Sequence, residues 1–230
     1  MSRLSKPSLG MVLCYVTDRH SLTATESGEP HKTLLLKIEA AAAAGVDWIQ
    51  IREKDLSGRD CALLTREALQ RTAKLRAGNQ ARTRIIVNDR LDVALTENAG
   101  GVHLGEKSLP VAEAKRFVVE RGERDDFVIG VSCHSLEVAR SAERDGADYL
   151  FFGPVFATPS KTEFGGPQGL ERLATVCRGV SIPVLAIGGI TLENASACLA
   201  AGASGIAAIR LFQDTQDVPS LVQSLRRLAH

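Results

Sequence analysis

Three features of the 230-residue sequence predict an α/β fold, and within that class a (β/α)8 TIM barrel. Buried-strand runs and helix-period segments alternate eight times along the chain, the pattern of a parallel sheet wrapped by its crossover helices. No domain-scale linker interrupts them, so residues 1–230 read as a single TIM-barrel domain, a normal length for such a barrel. The stretches AAGVDWI (43–49), DGADYLF (145–151) and AGASGIA (201–207) also share one design. Each ends a helix with a left-handed glycine and enters a buried strand within a few residues. A doubly wound open sheet is the alternative, but its usual first-turn glycine fingerprint is absent after Asp18.

The elements follow in order. Residues 11–18 form a first strand ending in Thr17 and Asp18, and a polar stretch leads to a helix over 34–44 that Gly45 closes. Val46 to Ile51 is the second strand and Arg59 to Leu75 its helix. Arg84 to Val87, ending in Asn88-Asp89, precedes a helix at 91–96. Gly101 to Leu104 is followed by a helix that Pro110 starts. Phe127 to Val131 is the fifth strand, and Ser135 caps the helix from Leu136 to Arg144. Tyr149 to Val155 then gives way to a long loop, 156–166, and a helix near 168–177. Ile182 to Ile187 is a strand buried on both faces that stops at Gly188-Gly189, with Thr191 capping the next helix. Gly205 to Ile209 and a helix over 219–228 complete the eighth unit.

Composition narrows the function classes. A formal net charge of +1, with Lys and Arg scattered along the chain, offers no electrostatic footprint for nucleic acid or a membrane surface. No apolar run reaches transmembrane length. The apolar run at 11–16 is too short for a signal core. Five widely spaced cysteines lack any metal-ligand spacing, which points to a reducing compartment and a cytoplasmic protein.

Barrel active sites lie at the carboxyl ends of the strands. The residues there are Thr17 and Asp18; Gln50, Arg52 and Lys54; Asn88 and Asp89; His103; Ser132 and His134; the loop with Thr158, Ser160 and Lys161; Gly188 and Gly189; and Arg210. Cations, amides, hydroxyls and glycines dominate, a set suited to a polyanion. If strand two continues far enough, alternation puts Gln50, Arg52 and Lys54 on one side as a three-point phosphate grip. A solvated charge run is the other reading. Asp89 offers a hard oxygen ligand for Mg2+ beside that grip, or Asn88-Asp89 is an Asx turn. Gly188-Gly189 at a helix start bares backbone N–H groups to an anion. Arg210, ending strand eight, would face the same anion. His103, inside its strand, reads as a packed imidazole, whereas His134 leaves both a mouth and a surface position open.

Seven motifs carry a resemblance along nearly the whole chain: QIREK (50–54), VNDRLDVAL (87–95), GVHLG (101–105), GVSCHS (130–135), FGPVFATPSK (152–161), PQGLE (167–171) and AIGGIT (186–191). In this order and spacing the chain resembles the thiamine phosphate synthase and thiazole tautomerase superfamily, whose fold is a (β/α)8 barrel. For a synthase, the resemblance implies condensing 4-amino-2-methyl-5-hydroxymethylpyrimidine diphosphate with thiazole phosphate, with Mg2+ as cofactor, giving thiamine phosphate and pyrophosphate. Gln50, Arg52, Lys54, Asn88, Ser132 and Lys161 match the pyrimidine diphosphate positions, and Asp89 the metal position. Thr158, Ser160, Gly189 and Ile209 match the thiazole phosphate positions, with Gly188 and Arg210 beside them. The implied partners are these small molecules, with a homo-oligomer left open.

Two departures stand out. Ser108, in Glu106-Lys107-Ser108, replaces the aspartate expected as a second Mg2+ ligand, leaving Glu106 as a conceivable substitute. Arg210 replaces a serine. A metal-independent tautomerase, with His134 moving the proton, is therefore the alternative, and a non-catalytic phosphate-ligand-binding regulator a third reading. The QIREK grip and Lys161 favour the synthase, because a tautomerase has no pyrophosphate to hold.

Overall fold

The structure is a computed structural model describing residues 10–22, 30–75, 83–122, 126–158 and 166–228. Eight parallel strands pair in chain order and close into a barrel. They are β1 (Val12–Val16), β2 (Trp48–Ile51), β3 (Arg84–Asn88), β4 (Gly101–Leu104), β5 (Val128–Cys133), β6 (Tyr149–Phe152), β7 (Val184–Ile187) and β8 (Gly205–Ala208). Closure is made by β8 against β1, where Cys14 sits opposite Ala207. Around the barrel lie α1 (Pro30–Ala43), α2 (Gly58–Lys74), α3 (Leu91–Thr96), α4 (Val111–Glu120), α5 (Leu136–Arg144), α6 (Gly169–Gly179), α7 (Leu192–Ala200), the short α8 (Arg210–Gln213) and α9 (Val218–Arg227). The predicted fold class is the observed one.

Alternation along each strand sorts the side chains into two buried sets. Leu13, Ile49, Ile85, Ile129, Leu150 and Val184 belong to the layer shared with the helices. Cys14, Trp48, Ile86, Tyr149, Phe151 and Leu185 belong to a separate cluster inside the barrel. The interior is packed by Tyr149 against Trp48, with ring centroids 4.6 Å apart. Gly130 makes room for that packing, since a Cβ there would lie 2.0 Å from the Tyr149 ring.

The repeated motif works as its sequence suggests. Gly45, Gly146 and Gly202 have φ of +86, +98 and +97. Around each, paired bonds such as Val46 N–H to Ala41 O (3.1 Å) and Gly45 N–H to Ala42 O (3.1 Å) form a Schellman turn. In two of the three copies an aspartate then caps the neighbouring strand. Asp47 accepts from Leu13 N–H at 2.7 Å, and Asp148 from Ile129 N–H at 2.8 Å. Arg226 on α9 bonds Asp47 (2.7 Å), Gly45 O (2.9 Å) and Met11 O, tying the last helix to the first two strands.

Strand ends matter at the mouth: β2 stops where expected, while β6 and β8 end earlier than expected. Strand β2 ends at Ile51, so the alternation does not reach Lys54, which lies in a turn. Strand β6 ends at Phe152, with the chain leaving through a cis Gly153-Pro154 peptide. Strand β8 ends at Ala208, and Arg210 begins α8 instead of ending the strand.

Candidate active site

The carboxyl ends of the strands bring together Gln50, Asn88, His103 and Ser132, all in the inward-facing register. Gln50 pairs Ile86, Asn88 pairs His103, His103 pairs Gly130, and Ser132 pairs Phe151. Gln50 is 1% exposed, and its Nε2 donates to Asn88 Oδ1 at 2.8 Å. Its Oε1 is buried with no hydrogen-bond partner. Asn88 Nδ2 donates to Asp89 Oδ2 at 2.8 Å. The other Asp89 oxygen accepts from Gly105 N–H at 3.1 Å and from the Ser108 hydroxyl. Asp89 adopts φ +59, a left-handed conformation uncommon outside glycine and Asn/Asp, which turns its carboxylate back over β4.

A second polar chain runs up the interior. Tyr149 is fully buried, and desolvation pushes its phenol well above the ordinary range, so the hydroxyl stays protonated. It lies 3.1 Å from His103 Nδ1, and His103 Nε2 lies 2.9 Å from Ser132 Oγ. A buried hydroxyl proton requires an acceptor, so Tyr149 donates to Nδ1 and the imidazole carries its proton on Nε2. That proton goes to Ser132 Oγ, leaving the serine proton free for a ligand. His103 is packed, as its position in the strand suggested, and it also orients a residue at the mouth.

The basic arm follows from β2. Arg52 is half-buried and Lys54 exposed. Neither side chain has a hydrogen-bond or ion-pair partner among the described residues. Between them Glu53 turns inward, with its side chain 1% exposed. It accepts from the Thr17 hydroxyl at 2.6 Å and from Arg19 through both N–H (3.0 Å) and Nη1 (3.1 Å). Thr17 Oγ1 in turn accepts Arg52 N–H at 2.9 Å. Sequence reasoning gave Glu53 no role and overlooked this brace. The signal available was a carboxylate set between two cations in the motif.

The glycine turn after β7 is shaped for close backbone approach. Gly188 and Gly189 have φ of +93 and +66. A Cβ on Gly188 would lie 2.5 Å from Pro154, and one on Gly189 2.5 Å from Ala157 O. Their N–H groups meet no acceptor among the described residues. The turn is braced by Asn194, which accepts Thr191 N–H (2.8 Å) and donates to Gly189 O (2.9 Å), with Thr191 capping α7 as predicted. The loop after β6 lies alongside: Val155 N–H reaches Ile187 O (2.9 Å), and Phe156 N–H reaches Gly188 O (3.0 Å). Gln168 N–H and Gly169 N–H return to Pro154 O and Val155 O, closing that loop. Thr158 is half-buried at its near end, while Ser160 and Lys161 lie outside the described residues. Ile209 packs against the barrel interior.

One residue sits differently from its sequence reading, and His134 takes a position that the reading leaves open. Arg210 begins α8 instead of ending β8; its side chain is 63% exposed and pairs with Asp214 at 3.0 Å. His134 donates from Nδ1 to Gly153 O, and its Nε2 lies 4.0 Å from Glu106 Oε1. Glu106 thus turns toward His134. No cluster of three or more metal-ligating side chains occurs among the described residues. Asp89, with the Ser108 hydroxyl beside it, still offers the one-carboxylate anchor that suffices for Mg2+ when substrate phosphates and water complete the shell.

A family model described as thiamine monophosphate synthase matches residues 13–212. The chain belongs to that family. This makes it a transferase of thiamine biosynthesis. It is 40% identical over 223 residues to the thiamine-phosphate synthase of Chloroflexus aurantiacus, covering 95% of this chain and 96% of that one. It is 45% identical over 188 residues to the thiamine-phosphate synthase of Methanocella arvoryzae, covering 82% and 84%. A solved thiamine phosphate pyrophosphorylase from Pyrococcus furiosus superposes with a TM-score of 0.77 at 34% identity, covering 95% of each chain. Among the described residues no helix is long and apolar enough to cross a membrane.

Proposed function

We propose that this chain condenses 4-amino-2-methyl-5-hydroxymethylpyrimidine diphosphate with thiazole phosphate, releasing pyrophosphate and forming thiamine phosphate, as a single-domain cytoplasmic enzyme. The observation that carries the reading is the pairing, at one barrel mouth, of a buried amide pocket with a cationic arm and a glycine cradle. Gln50, Asn88 and Ser132 would hold the pyrimidine, and Arg52, Lys54 and Lys161 its diphosphate. Gly188, Gly189 and Thr158, with Ser160, would take the thiazole phosphate.

The chemistry asks for charge stabilisation. As the carbon–oxygen bond to the diphosphate breaks, negative charge grows on the leaving group and positive charge on the pyrimidine methylene. Cations near the first and a buried, water-poor pocket around the second lower that barrier without a strong base. The guanidinium fork of Arg52 gives direction to the phosphate contacts, and Glu53, through Thr17, holds the backbone from which it projects. Mg2+, when bound, neutralises the leaving diphosphate, and Asp89 with Ser108 is the place that would hold it.

The test is a paired assay of purified protein. With both substrates and Mg2+, thiamine phosphate should form, and Asp89→Ala should lose at least tenfold in rate. No product, together with isomerisation of a thiazole carboxylate phosphate that disappears in His134→Ala, would replace the synthase with the tautomerase. Phosphate-ligand binding with neither turnover would leave the regulator.

A further inference from the structure

Gln50 Oε1, in the inward-facing register, is a buried side-chain polar atom left without a partner among the described residues; Tyr15 Oη, in the layer shared with the helices, is the other. The orientation of Gln50 is dictated from a distance. An ionised carboxylate only accepts hydrogen bonds, so Asn88 must turn its NH2 toward Asp89 Oδ2, 2.8 Å away. Asn88 Oδ1 then faces Gln50, which must answer with Nε2, again at 2.8 Å. No other arrangement satisfies both bonds. Gln50 Oε1 is consequently left as a bare acceptor in a site 1% exposed, where an unmet lone pair is costly.

We propose that Asp89 is a specificity-determining positioning residue: through Asn88 it sets Gln50 to accept, so that the pocket selects a heterocycle bearing an amino N–H donor over its oxo counterpart. The inference rests on the pyrimidine diphosphate reading and adds to Asp89 a role independent of any metal. A 4-amino ring satisfies Oε1. A 4-oxo ring sets oxygen against oxygen and leaves both desolvated, the situation in which a polar pocket discriminates most strongly.

The chain also predicts what reverses it. Gly105 N–H donates to Asp89 Oδ1 at 3.1 Å. In Asp89→Asn this backbone donor keeps the carbonyl oxygen at that place and directs the new NH2 at Asn88. Asn88 must then turn its oxygen toward residue 89 and its NH2 toward Gln50. Gln50 turns in response, presenting N–H to the ligand.

The experiment is calorimetric titration of the intact chain with the 4-amino and 4-oxo forms of the pyrimidine diphosphate. EDTA is present so that no metal contributes, and circular dichroism confirms folding. Wild type should bind the amino form at least tenfold more tightly. Asp89→Asn should reverse the order. Asn88→Ala, which cuts the chain, should bring the two affinities to within about threefold, and it carries the test if Asp89→Asn fails to fold. Equal affinities in wild type, or a wild-type preference kept in either variant, overturns the inference while the synthase reading stands. A wild type that binds neither form, in EDTA and again with Mg2+ restored, overturns the pyrimidine diphosphate reading and the inference with it.

Discussion

Single atoms at the mouth have assigned tasks because the barrel leaves them few partners. Among the described residues the Tyr149 hydroxyl bonds His103 alone, so one hydroxyl sets the tautomer that turns the Ser132 proton outward. Tyr149→Phe should cost about 1–3 kcal/mol in urea unfolding, since His103 Nδ1 loses its donor inside the barrel. It should also lower kcat more than it raises KM, because the serine proton is no longer directed. Thr17→Val tests the Glu53 brace. The buried carboxylate loses its 2.6 Å donor and Arg52 N–H its acceptor, so a loss of about 1.5–3 kcal/mol is expected in the same assay.

At the scale of elements, two turns carry the argument. Gly188 combines φ +93 with Pro154 at 2.5 Å from any added Cβ. Gly188→Ala should therefore cost at least about 1–3 kcal/mol and raise the KM for thiazole phosphate, with a smaller effect on the pyrimidine diphosphate. The turn after β2 is held by Arg19, which pairs with both Glu53 and Asp55. The Arg19 guanidinium holds the Asp55 carboxyl well below the ordinary carboxylate range, with His20 beside it adding to the effect. A depressed carboxylate stabilises the fold fully above the unfolded value, about 3.9, and that contribution fades as pH falls through the folded one. The stability gap between wild type and Asp55→Asn should accordingly be constant near neutrality and shrink only in strong acid, as followed by thermal melts across pH.

For the whole molecule, the closed barrel and the layer between it and the helices explain both the packing and the inert thiols. All five cysteines are free and buried. Desolvation pushes Cys133 up to about 12 and Cys198 to about 11, with Cys14 higher still. A thiol-specific chromogenic reagent at pH 8 should find almost no reactive thiol in the native protein and five after denaturation. The interior around Gly130 is equally intolerant. Gly130→Ala drives a methyl into the Tyr149 ring, and the expected loss is about 1–3 kcal/mol or failure to fold, read by urea unfolding.

The eight-unit rhythm, the Schellman glycines and the Thr191 cap were legible in the sequence, because periodicity and left-handed turns are local properties of a few consecutive residues. So were most of the strands, and the motifs that place the chain in its family. Partnership across the barrel was not. Alternation could carry Lys54 into the grip only if strand two ran past Ile51, which it does not, and Arg210, read as a strand end, starts a helix. The inward turn of Glu53 depends on Thr17 and Arg19, more than thirty residues away in the chain. The polarity of the Gln50–Asn88–Asp89 chain depends on β2 and β3 lying side by side with the Gly105 N–H reaching over from β4. The sequence by itself determined the barrel and the kinds of groups at its mouth. Only the tertiary structure decided which of those groups accept and which donate, because that direction is set by neighbours on other strands.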